Sequence, residues 1–170
     1  ISKSKSHAGV VMNFTMDKRN TAIIPSKGSY FNIRLQGFGG LSANAKSYGQ
    51  VIPEFAVYKK LDAKGTVIIA DRIGAGITVG KSAFYQSLYI GGHENLLGYR
   101  QYRFAGENMV YNNFEARIRV ANFTGYIIPG QFGLIGFYDL GRVWIKDEHS
   151  KTWHQGTGGG VYFAPAQIAV

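Results

Sequence analysis

Apolar and polar side chains alternate along most of this chain. The clearest run is 113–120, where Phe114, Ala116, Ile118 and Val120 fall on one side and Asn113, Glu115, Arg117 and Arg119 on the other. Successive side chains of an extended strand point to opposite faces, so this segment has one oily and one charged face. The same period sets Phe31, Ile33 and Leu35 against Tyr30, Asn32, Arg34 and Gln36, and Met12, Phe14 and Met16 against Asn13, Thr15 and Asp17. It recurs around Phe55 and Val57, and again where Phe132, Leu134, Tyr138 and Leu140 alternate with a set that includes Phe137 and Asp139. The pattern predicts strands over 8–17, 29–39, 50–61, 66–78, 109–122, 131–144 and 155–164, with one more beginning near Gln167. Turn residues agree: Pro25 to Gly28, Asp62 to Gly65, Pro129-Gly130 and Ala164-Pro165. No helical period of useful length appears.

The connections differ in length. Those after the third and seventh predicted strands are brief, whereas 40–49, 79–108 and 145–154 are long. The first connection, 18–28, blurs the contrast. Short turns at one end and long loops at the other are the layout of an outer-membrane β-barrel, and strands of about 10–14 residues suit a tilted crossing of an apolar slab. A soluble barrel or sandwich has the same period. Three features favour the membrane: arginines beside Asn and Gln on the polar face, large apolar residues with little interruption on the other, and aromatics at strand ends (Tyr30, Phe31, Tyr126, Trp144, Trp153). One pair resists. Asp71 and Arg72 are adjacent in mid-strand, so one must face lipid unless a bulge or a partner intervenes.

Composition narrows the choice. Apolar residues make up 45% and charged residues 17% of the 170, which excludes a long disordered tail. With 23 glycines, 11 Tyr, 11 Phe and 4 prolines, usage is that of an antiparallel β protein. There is no cysteine, so disulfide scaffolds and thiolate metal sites are excluded. No apolar run is long enough for a transmembrane helix, and the start lacks a signal-peptide pattern, so a leader would already have been removed or the chain is cytosolic. The net charge of +9 admits nucleic acid as a partner, but an arginine-lined wet interior accounts for it without one. The expected fold is therefore all-β: an antiparallel transmembrane β-barrel of about eight strands with one long loop, residues 1–170 forming one domain or half of a larger barrel, truncated at its C-terminal end.

Candidate chemistry is sparse. Gly80-Lys81-Ser82 lacks the first glycine of a phosphate loop, and Gly156-Thr-Gly-Gly-Gly160 has no βαβ unit around it. The latter reads as a strand that lets another backbone approach closely. His7, His93, His149 and His154 have no metal-ligand spacing and read as solvated loop residues. No catalytic constellation is present, so neither an enzyme nor a metal or cofactor is expected.

The loop 79–108 is too long for an idle connector and too aromatic for disorder. Its segment Gly91-Gly92, four residues, then Leu97-Gly98-Tyr99 resembles the long-loop signature of the BamA/TamA-type outer-membrane insertase superfamily, which includes two-partner secretion transporters. Phe137-Tyr-Asp139-Leu-Gly141 is similar to that family's aromatic-x-Asp-x-Gly strand, and Asp17 through Gly28 to its Asp-x-Arg…Pro-x-x-Gly turn. The resemblance implies the C-terminal half of a family barrel, of the short class without periplasmic domains. It implies a loop folded into the lumen, the outer membrane of a Gram-negative bacterium, and a lipid bilayer and unfolded outer-membrane proteins as partners. Where the family has Arg, this chain has Leu97. In the family that arginine meets the strand aspartate, here Asp139. A buried carboxylate needs a cation, so Arg117, or Arg100 or Arg103 in the loop, is expected to replace it. Arg34, Glu115 and Arg119 are expected to line the lumen. The family barrel has about 16 strands, and an eight-stranded barrel fills with its own side chains. So the other half is missing, or two chains combine in a homodimer, or the loop packs outside. A passive anion pore and a structural anchor are the competing functions.

Overall fold

A computed structural model describes residues 6–42, 45–124, 129–145 and 151–165. Seven long strands form one antiparallel sheet in the order β1-β2-β3-β4-β7-β8-β9: β1 His7–Asp17, β2 Gly28–Gly40, β3 Tyr48–Lys60, β4 Val67–Gly80, β7 Asn108–Phe123, β8 Gly130–Trp144 and β9 His154–Pro165. Every neighbour in the sheet is a sequence neighbour once the β4–β7 connection is set aside. That connection carries a 3-10 turn at Phe84–Gln86 and a small hairpin, β5 Leu88–Ile90 with β6 Phe104–Gly106. The expected strand near Gln167, Tyr126 and His149 lie outside the described residues.

Register fixes two faces. Met12, Leu35, Val51 and Ile77 are aligned in one row across four strands, and Val67, Ile118, Leu134 and Val161 in another. These rows belong to a face on which Met12 is 62% and Val161 66% exposed, with Phe14, Phe55, Phe114 and Phe163 also open. Leaving that much apolar area in water costs roughly 25 cal/mol per Å², and soluble monomers do not expose such contiguous patches. A bilayer removes the cost, so the alternation expected from sequence has its apolar half turned toward lipid.

The other face, called inner below, holds the core. Leu88 and Ile90 of the loop hairpin pack with Met109 and Tyr111 of β7, flanked by Ile52, Phe104 and Val143. The core is thus the seam between loop and sheet. Glycines make room for inner aromatics: the Tyr111 ring lies over Gly74, and Phe137 over Gly158. Asp71 lies on the outer face and Arg72 on the inner one. No bulge separates them; instead Asn112 Nδ2 donates to Asp71 Oδ1 at 2.8 Å. The sheet is open among the described residues, β1 and β9 each pairing on one side only.

Candidate functional site

The loop between β4 and β7 is seated on the inner face by three sets of contacts. At its first turn, Gln50 Nε2 on β3 donates to the Gln86 carbonyl at 2.7 Å and to Thr78 Oγ1 at 3.0 Å. In the middle, Ile90 and Leu96 are fully buried and lie over Gly141 of β8, where a Cβ would sit 3.0 Å from Ile90 Cδ1 and 3.5 Å from Leu96 Cδ1. At the far side the Phe104 ring stacks on His154 of β9 at 3.6 Å between centroids, and Tyr99 Oη donates to the Gln155 carbonyl at 3.3 Å. His154, expected as a solvated loop residue, is therefore part of the seat: as the first residue of β9 it faces the loop.

The motif residues shape the tip. Gly91 and Gly92 have φ of 123° and 86°, conformations only glycine adopts freely. They allow a tight reversal closed by Gly92 N–H to the Leu96 carbonyl at 3.0 Å and the reverse bond at 3.1 Å. Asn95 Oδ1 accepts from Gly91 N–H at 2.8 Å and stabilises the same turn. Gly98 meets Gly156, whose Cβ would lie 3.5 Å from the Gly98 Cα. The glycine-rich β9 thus admits a close backbone approach, as its composition suggests.

Asp139 is the buried charge beneath this tip, 1% exposed. Its Oδ2 accepts from the Leu97 backbone N–H at 2.8 Å, and its Oδ1 from Asn113 Nδ2 at 2.8 Å. The expected arginine partner is absent among the described contacts. Arg117 pairs with Glu115 and donates to the Pro25 carbonyl at 3.1 Å. Arg103 lies over the Phe104 ring, and Arg100 is exposed. The arrangement has a plain cause. On the inner face Arg117 has Glu115 two residues away, and the loop reaches Asp139 with backbone rather than side chain. The carboxylate needs donors, and two neutral ones give each of its oxygens a hydrogen bond.

Asn113 continues the network. Its Nδ2 also donates to the Asn95 carbonyl at 2.9 Å, while its Oδ1 accepts from Arg72 Nη2 at 2.8 Å and Nε at 3.1 Å. Arg72 donates as well to the Glu94 carbonyl in the loop and lies 3.8 Å from Glu54 Oε2, which accepts from Tyr111 Oη at 2.6 Å. Neither Asn113 nor Arg72 stands out in the sequence as a loop contact; the one available signal was the unexplained polar pair 71–72. Below the tip, a cleft of about 250 Å³ is lined by His93, Asn95, Asn113, Arg117 and Asp139. Arg34 borders a more open cleft with Glu54 and Arg72. Arg119 does not simply line the lumen: its Nη2 donates to the Lys64 carbonyl at 2.6 Å and holds the β3–β4 turn. No cluster of three potential metal ligands occurs among the described residues.

Comparison with known proteins agrees with the fold. The family model described as the Omp85 superfamily domain matches residues 3–168. The chain is similar in structure to BamA from Haemophilus ducreyi lacking POTRA domains 1-3, with a TM-score of 0.73 and 18% identity over 93% of this chain. It spans 38% of that protein's chain, well under half. No curated protein matches it.

Proposed function

We propose that this chain, which belongs to the Omp85 superfamily, is the loop-bearing part of an outer-membrane barrel that assists outer-membrane protein assembly or polypeptide translocation in a Gram-negative bacterium. The observation that carries this reading is the seated loop, fixed to the wall through the buried Asp139. Such a device needs no cofactor. A loop held across a wet interior controls what enters it, and unpaired strand backbone at the rim offers pairing to an extended client. Asp139 with its donors is the lock in this reading, and Gly91 through Arg103 the segment it holds.

The passive anion pore is the weaker reading. Of the three arginines that would line it, Arg117 is neutralised by Glu115 and Arg119 is committed to a turn carbonyl, leaving Arg34. The test is assembly of a purified barrel client in vesicles carrying the barrel that contains this chain. Asp139→Ala is expected to abolish most assembly while the barrel itself keeps its gel shift without boiling. Unimpaired assembly would remove the lock from the mechanism. A steady anion-selective conductance with no client assembly would favour the pore.

A further inference from the structure

Asp139 is buried, and no cation touches it among the described residues. It accepts two hydrogen bonds, one from the Leu97 N–H and one from the Asn113 amide. One of its donors, the Asn113 amide, is itself polarised from behind. Arg72 bonds Asn113 Oδ1 twice, and the opposite end of the same amide donates to Asp139.

We infer that Arg72 is the positioning cation of the loop, acting on Asp139 through Asn113 while gripping the loop directly at the Glu94 carbonyl. The inference rests on the seated loop proposed above and adds how that seat is held. Three features favour a relay over a bystander. The guanidinium reaches strand, loop and amide together, from Asn113 to the Glu94 carbonyl, with Glu54 at 3.8 Å and the Tyr111 ring at 5.4 Å setting its position. An amide clamped at its oxygen by a cation has no freedom to flip, so its NH₂ must face Asp139 and the Asn95 carbonyl. The other inner cation nearby, Arg117, is already engaged with Glu115. Lysine supplies the charge without the planar fork, so the site distinguishes the two.

The test uses the proximity of Gly98 to Gly156 and the absence of native cysteine from this chain. In the barrel carrying Gly98→Cys and Gly156→Cys, disulfide formation under mild oxidant reports the seated loop. Arg72→Gln is expected to slow cross-linking about tenfold, the size of one charge-assisted hydrogen bond. Asn113→Leu should slow it comparably, and the double change by less than the two effects combined, because part of the Arg72 effect passes through Asn113 and part through its own bond to the Glu94 carbonyl. Arg72→Lys should fall between. Cross-linking of Arg72→Gln at the parent rate, in barrels that still shift on unboiled gels, would overturn the inference; so would fully additive effects. If the cysteine pair prevents folding, tryptic cleavage after Arg100 and Arg103 in intact membranes gives the same comparison, faster cutting in Arg72→Gln supporting the inference and unchanged cutting overturning it. Seating is read here without any client. A barrel that cross-links as expected yet assembles nothing would fail the proposed function and leave this inference standing.

Discussion

At Asp139 the loop meets the wall through one backbone amide and one side-chain amide, both at 2.8 Å. Removing the carboxylate strands both donors in a buried place, at about 1–3 kcal/mol each. Asp139→Asn keeps one acceptor, so its loss should be about half that of Asp139→Ala when unfolding midpoints are compared in guanidinium. An equal loss for both would mean that charge, not hydrogen bonding, sets the stability. The motif glycines make a second contrast. Gly91 has φ of 123°, and a Cβ there would sit 2.5 Å from the Arg100 carbonyl oxygen. Gly98 has no such constraint, its nearest atom being the Gly156 Cα at 3.5 Å. Gly91→Ala should therefore destabilise the seated loop by about 1–2 kcal/mol from backbone strain alone, and more with the clash, while Gly98→Ala costs little. Protection of the Leu96 amide from hydrogen exchange is the measurement; equal protection in the two variants would contradict it.

The strands were legible because each long one carries its period over many residues; the run read as 109–122 is a strand at Asn108–Phe123. The β5–β6 hairpin was not, since three residues hold too little alternation to tell strand from loop. The site divides in the same way. Asp139 and the glycines announced themselves by residue type, but its partner is the Leu97 N–H, and every non-proline residue has one. Asp71 shows what the period does to a sequence that breaks it. Facing outward, it finds Asn112 rather than a bulge. A lipid-facing carboxylate is costly even when bonded, so Asp71→Leu with Asn112→Leu should raise barrel stability by about 1–2 kcal/mol in a bilayer and not lower it. Lower stability would mean that the pair recruits something the outer face needs. In the β3–β4 turn, Asp62 Oδ1 accepts from the Val67 N–H at 2.8 Å, which helps hold its pKa down at about 2 against a usual 3.8. A depressed carboxylate contributes its stability above the ordinary pKa and loses it as pH falls toward the folded one. Turn-amide protection at Val67 should thus persist through pH 4 and fade between about 3.8 and 2, a fade that Asp62→Asn removes.

Across the whole sheet the two faces answer to different solvents, and the ends of the strands locate the boundary between them. Both tryptophans, Trp144 and Trp153, lie at the long-loop end, with ring centroids 6.4 Å apart and Arg142 stacked over each. An indole has an apolar body and one N–H donor, so it favours the interface over either the hydrocarbon or bulk water. The outer rows below it, from Ile77 and Val51 down to Ile118 and Leu134, are apolar and exposed. If lipid covers those rows, the long-loop end sits at headgroup depth. With Trp153→Phe, the emission of Trp144 is expected to be quenched more by lipids brominated near the glycerol than by lipids brominated near the chain ends. Stronger quenching by the deep bromines would sink the tryptophan into hydrocarbon and displace the whole sheet along the membrane normal. No quenching by either would take the apolar rows out of the bilayer, and with them the reason that Met12, Val161 and their neighbours are left uncovered by protein.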